Sequence, residues 1–304
     1  MKPRALQPGD RIAVVSPASP FSREEFDRGV DELRRLGFVP VYDEDVFAKA
    51  SYTSGSAETR AAALLRHWND DSVAALIAVR GGYGSVHLLP LLAGLNLSRP
   101  KLFIGYSDNT SILSWLTCQC HVPALHGPML DRRLSRGAHG YDESSFLALL
   151  QGGEGLTLMP DGVMALSQGD VKGPLFGGTL TQLTASLGTP FAFAPPHGCI
   201  LFIEDVNERP YRLDRMLTQL RLAGILSRAR GLIFGEMRGC DESEAGPGAR
   251  DTIRELVKDF NGPVIYGFPS GHTAGPCWTL PLGVRVRLVT SPRPGLIVEE
   301  APVE

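Results

Sequence analysis

The run Phe103-Ile104-Gly105-Tyr106-Ser107-Asp108-Asn109 sets a serine at the apex of a small-residue turn. An apolar strand-like stretch, Leu102 to Tyr106, precedes it, and an amphipathic stretch from Ser107 to Cys118 predicts a helix immediately after it. A hydroxyl in that position is lifted out of a sheet, and the first N–H groups of the helix face whatever it attacks, which suits an oxyanion. The arrangement is close to the nucleophile elbow G-x-S-x-G, but Asn109 stands where the second glycine belongs. The competing reading is that Ser107 only caps the helix, since serine is a favoured N-cap.

A second turn, Arg80-Gly81-Gly82-Tyr83-Gly84-Ser85, also follows a strand and opens a helix read over Val86 to Leu92, so its amides could receive an anion. It lacks the G-x-G-x-x-G spacing of a dinucleotide site. Two such turns from neighbouring parallel strands converge on one end of a sheet, where ligands bind. Acidic side chains follow the strand Cys199 to Ile203 in Glu204-Asp205-Val206-Asn207-Glu208, where one could orient a histidine or merely solvate and cap. His272 lies in a glycine-preceded loop, Phe268-Pro269-Ser270-Gly271-His272-Thr273, and spacing does not set it apart from His67, His87, His121, His126, His139 or His197. Cys118-Gln119-Cys120 is no C-x-x-C pair and no H-E-x-x-H occurs, so structural thiols are expected and no metal or other cofactor.

These residues need a scaffold, and the first half supplies it by alternating short apolar runs with amphipathic ones, the mark of a parallel α/β sheet. Arg11 to Ser16, Val39 to Tyr42, Ala74 to Val79 and Leu102 to Tyr106 read as strands. Phe26, Val30, Leu33 and Leu36 recur at helical spacing behind a capping box of Ser22 and Glu25, and Ala57 to Trp68 reads as the next helix. Periodicity decays between Leu150 and Gly178. The expected division is therefore an N-terminal domain over 1–151 carrying the serine, a crossover over 152–172 and a mixed α/β domain over 173–304 carrying the acid and the histidine.

Length agrees, since 304 residues exceed one comfortable core. A net charge of −3 from 30 basic and 33 acidic residues argues against a nucleic-acid partner. The sequence shows neither a secretory h-region nor a membrane-spanning run, and five cysteines, an odd number, fit a reducing compartment, so the cytoplasm is expected.

In order along the chain, GDRIAVVSPAS, AVRGGYGS, IGYSDNT, HGPM, GPLFGGTL, LFIEDVNERPYRLDRML, GHT and TLPLG resemble the LD-carboxypeptidase family of serine peptidases, from Gly9 to Gly283. The resemblance implies a flavodoxin-like N-terminal domain, a mixed α/β C-terminal domain, a homodimer and cleavage of an L-to-D peptide bond in a peptidoglycan-derived peptide, releasing a terminal D-amino acid. It also implies a triad of Ser107, Glu204 and His272, with the backbone N–H groups of Asp108 and Gly82 as oxyanion donors and Gly81 as the near alternative. Arg80 and Arg212 are candidates for holding the substrate carboxylate. Two departures stand out: Thr179, where the family often has asparagine, and a looser stretch after Thr273. A relative of the family confers immunity to microcin C by hydrolysing an acyl linkage to an adenylate-like toxin. Those members tend to be longer, with an aromatic-bearing extra loop, and this chain has few aromatics between Gly152 and Gly173. A binder that kept the fold without catalysis is the third reading, opposed by the presence of all three triad residue types.

Overall fold

In the computed structural model, which describes residues 1–242, 246 and 248–304, the strand β1 (Arg11–Val15) lies between β2 (Val39–Val41) and β3 (Val73–Ala78), all parallel. β4 (Leu102–Gly105) and β5 (Ala124–His126) extend the sheet beyond β3 in the same direction. Every residue of β3 and β4 is buried, as expected for parallel strands covered on both faces. Helices α1 (Arg23–Arg35), α2 (Ala57–Asn69) and α3 (Thr110–Cys118) provide the cover. Phe26, Val30 and Leu33 of α1 point inward, as their spacing predicts.

Two local expectations are corrected. Ser22 sits at the N-cap of α1 without a side-chain capping bond, and Glu25 instead accepts from the Arg132 backbone N–H at 3.0 Å. A long-range partner has replaced the local one. The stretch after the Gly84 turn is a 3₁₀ run, Ser85–Gly94, because Pro90 removes an amide from its middle.

After α4 (Glu143–Gln151) the chain builds a second sheet. Its order is β6 (Thr157–Leu158), β14 (Gly295–Val298), β13 (Arg285–Val289), β8 (Asp170–Thr179), β9 (Cys199–Glu204), β10 (Ala229–Gly235), β11 (Val264–Phe268) and β7 (Met164–Ser167). Residues 152–172 thus contribute both edge strands of this sheet, β6 and β7. β8 to β11 run parallel in the middle, with antiparallel pairs outside.

Side chains of β9 alternate, with Ile200 and Phe202 joining the core shared with the first sheet and Cys199, Leu201 and Ile203 joining a second core. Helix α6 (Pro210–Leu222) and helix α7 (Ala249–Leu256) cover that second core, together with the short α5 (Leu180–Ala185). β12 (Leu280–Leu282) crosses back and pairs antiparallel with β5, so both halves of the chain contribute to the first sheet. Among the described residues no helix is long and apolar enough to cross a membrane.

Candidate active site

The carboxyl ends of β3, β4, β8, β9 and β11 meet where the two sheets share their core. Ser107, just beyond β4, has φ +62°, a left-handed conformation that non-glycine residues adopt at a cost of about 1–3 kcal/mol. The N-cap positions of the 3₁₀ turn and of α3 fall on Tyr106 and Asn109, so Ser107 is not the helix cap. A 3₁₀ turn, Ser107–Asn109, leads into α3.

The two glycine turns interlock. Ser85 N–H donates to Asp108 Oδ2 at 2.8 Å, and Ser85 Oγ donates to the Asp108 carbonyl at 2.6 Å. Asn109 Nδ2 donates to the Arg80 carbonyl at 3.1 Å. The open face of Gly81 is turned to the serine: a Cβ built there would stand 2.9 Å from Ser107 Oγ and 3.4 Å from Asp108 N. The same construction at Gly82, whose φ is +104°, meets Ser19 Oγ at 2.4 Å instead. Among the described residues, the Gly82 N–H donates to no protein acceptor. Gly81 does not need a left-handed backbone, but a methyl there would stand 2.7 Å from Ser107 Cβ and 2.9 Å from its Oγ, so in Gly81→Ala the serine turn must be pushed aside. Peptide hydrolysis should drop by at least about 10²-fold, and displacement of the turn should lower the melting temperature as well. Steady-state kinetics and a thermal melt check this.

Glu204 ends β9 and is 1% exposed. Its Oε2 accepts from His272 Nδ1 at 2.8 Å and from the His272 backbone N–H at 3.1 Å, and its Oε1 accepts from Thr179 Oγ1. Thr179 in turn donates its N–H to Thr110 Oγ1 at 3.1 Å, which stitches the acid to the first turn of the helix behind Ser107. The His272 ring stands edge-on to Tyr106, with centroids 5.1 Å apart, so histidine and serine flank one aromatic residue. A Cβ on Gly271, at φ +81°, would lie 2.9 Å from Glu204 Oε2, so glycine is required for this approach.

Burial, the largest single influence, pushes the Glu204 carboxyl up. The His272 charge and hydrogen bond, with His126 and Thr179, outweigh it and hold the group well below the usual carboxylate range. Burial likewise pulls His272 down, but the charge and hydrogen bond of Glu204 raise it above 6.5. A general base must be neutral. The acid limb of kcat/KM should therefore lie on the alkaline side of an ordinary histidine, with activity rising as pH passes through it, and a pH–rate profile reads this directly.

Arg80 is about one-third exposed beside Gly81; its Nε is 3.4 Å from Asp131 Oδ2, a charge contact outside hydrogen-bond geometry. Arg212 lies on the outer face of the first turn of α6 and pairs with Glu208 at 3.2 Å. Three site neighbours escape sequence reasoning. Thr179 stood out only as a departure from pattern. His126, at the end of β5 in the HGPM segment, is fully buried with Nδ1 2.9 Å from Ser270 Oγ, and burial pulls it down to about 4, so it is neutral near pH 7. Arg133 had no sequence signal: an Arg-Arg pair reads as a solvated face, but its side chain is buried against the His272 loop. Cys118 and Cys120 are free thiols pushed up to about 11 by burial.

The sequence pattern of the LD-carboxypeptidase N-terminal domain matches residues 12–127, and that of the C-terminal domain matches 172–288. The murein tetrapeptide carboxypeptidase of Pseudomonas aeruginosa is 31% identical over 88% of this chain and 90% of its own. The microcin C7 self-immunity protein MccF of Escherichia coli is 28% identical over 93% and 91%. A solved MccF complex, 24% identical, shares the fold with a TM-score of 0.90. The muramoyltetrapeptide carboxypeptidase of Oxalobacter formigenes, 28% identical, superposes with a TM-score of 0.82 over 94% and 98% of the two chains.

Proposed function

Because this chain belongs to the LD-carboxypeptidase family, we propose that it hydrolyses the L-to-D peptide bond of murein tetrapeptides, releasing the terminal D-alanine through a serine acyl-enzyme. The observation that carries the proposal is the pair of buried Glu204 and part-buried His272, joined through Tyr106 and Thr179 to the strained Ser107 turn.

With Nδ1–H given to Glu204, His272 keeps the lone pair on Nε2. That nitrogen takes the Ser107 proton as Oγ attacks the peptide carbonyl. The developing oxyanion is received by the N–H groups of Asp108 and Gly82. Collapse breaks the C–N bond, His272 gives the proton to the leaving amine, and D-alanine departs. Water, deprotonated by the same imidazole, then hydrolyses the ester. Arg80 is the better partner for the substrate's terminal carboxylate, since it borders Gly81 at the serine turn whereas Arg212 lies on the outer face of α6.

The reaction is assigned to recycled wall peptides in the cytoplasm, by a homodimer; sedimentation at the monomer mass would remove the dimer. The experiment that tests the substrate is parallel incubation with a murein tetrapeptide and a peptidyl adenylate analogue. Released D-alanine supports the proposal, while released nucleotide with no D-alanine favours the microcin-type reaction. If neither is released and a fluorophosphonate fails to label Ser107 while peptide still binds, the chain is a non-catalytic binder.

A further inference from the structure

We propose that Arg133 is a positioning residue for the histidine of the triad: its guanidinium fastens the backbone on both sides of His272 and ties that loop to the residue preceding Ser107. The inference rests on the reaction assigned above. Arg133 comes from the segment after β5, whereas His272 follows β11, so the contact joins the two halves of the chain.

A guanidinium has five N–H donors, and here all five are used. Nη2 donates to the carbonyls of Gly271 at 2.7 Å and Thr273 at 3.1 Å, the residues flanking His272. Nη1 donates to those of Gly275 at 3.1 Å and Gly140 at 3.3 Å, and Nε reaches the Tyr106 hydroxyl at 3.4 Å. Tyr106 also lies against the His272 ring. Other side chains hold the loop at fewer points: Glu204 takes the His272 N–H and Nδ1, Glu236 takes the Ala274 N–H at 2.8 Å, and the Gly271 N–H meets Cys277 Sγ at 3.2 Å. Only the fork of an arginine reaches the carbonyls of Gly271, Thr273 and Gly275, every second residue of the loop, at once, which a lysine's point-like ammonium cannot do.

With no donor to spare and its side chain buried, Arg133 is unavailable to a substrate carboxylate. All five acceptors are neutral, which leaves a full positive charge at the site without a carboxylate hydrogen-bonded to it. Around His272, the carboxylates of Glu204 and Asp205 favour the imidazolium, whereas Arg133 opposes it. His126, buried beside the pair, is neutral in the working range, and Tyr106 is pushed up by burial and stays protonated. Arg133 is thus the fixed cation that keeps the base from being over-stabilised in its charged form.

The test compares R133K and R133Q with wild type by steady-state kinetics on the tetrapeptide and by NMR titration of the His272 ring. A displaced histidine loop should lower kcat by about 10²-fold in both variants while KM stays within about twofold. The His272 titration should move to higher pH in R133Q and stay near wild type in R133K, which keeps the charge. A purely structural role would not separate the two. Wild-type kcat in either folded variant, or an unmoved titration in R133Q, overturns the proposal. Loss of folding in both variants also overturns it, since Arg133 would then serve the fold as a whole. If only R133Q fails to fold, kcat of R133K decides. The titration needs no substrate, so a wild-type protein that cleaves no tetrapeptide sinks the assigned reaction while leaving this test standing.

Discussion

Ser107→Ala should lower D-alanine release by about 10⁴-fold or more, since removal of a nucleophile disables the whole triad at once. The fold should survive, because the Ser107 side chain supports no helix cap and neighbouring contacts run through Asp108 and Asn109. A sharper version replaces the serine by glycine. At φ +62° any residue with a Cβ is strained, so Ser107→Gly should be about 1 kcal/mol more stable than Ser107→Ala and equally inactive. Urea unfolding of the pair, alongside turnover, measures both halves. Equal stability would mean that the turn relaxes and stores no strain.

Glu204→Gln carries the second large effect. The change is isosteric, and Thr179 can rotate its hydroxyl to accept from the new amide, which leaves the amide oxygen facing His272 Nδ1 and the backbone N–H. The tautomer and ring position are then kept while the charge is lost. Turnover should fall by about 10² to 10⁴-fold, the range in which an electrostatic partner and a triad carboxylate act. The sign of the pH effect is the distinguishing mark. Glu204 raises His272 against a burial that lowers it, so without the charge the acid limb moves to lower pH. Turnover near that of wild type, or an acid limb that moves upward, would contradict this role for Glu204.

The buried parallel strands were legible because β3 and β4 are continuous apolar runs bounded by glycine turns, a pattern that depends on neighbours in the chain. The short edge strands β6 and β7 were not, since two to four residues with mixed burial give no period to read. Nor could the return of β12 to the first sheet be foreseen, because its pairing with β5 spans more than half the chain. The site divides in the same way. The Ser107 turn announces itself locally by small residues between a strand and a helix. Glu204 and His272 were singled out only by the family resemblance, as their meeting depends on strands far apart in sequence. Arg133 and His126 act through contacts to the 270–275 loop more than a hundred residues downstream, and no local pattern encodes those. Ser22 shows the opposite failure: a sound local capping pattern was displaced by the pull of Arg132 on Glu25.

In the proposed reaction Ser107 carries the acyl group of a murein tetrapeptide. Rapid-quench intact-mass analysis, with peptide mapping after a single turnover on that substrate, tests it most directly. A tripeptide ester is expected on the peptide containing Ser107, formed in step with one D-alanine released and absent in Ser107→Ala. D-alanine release at the wild-type rate from Ser107→Ala, or an acyl group mapped to another residue, would contradict it.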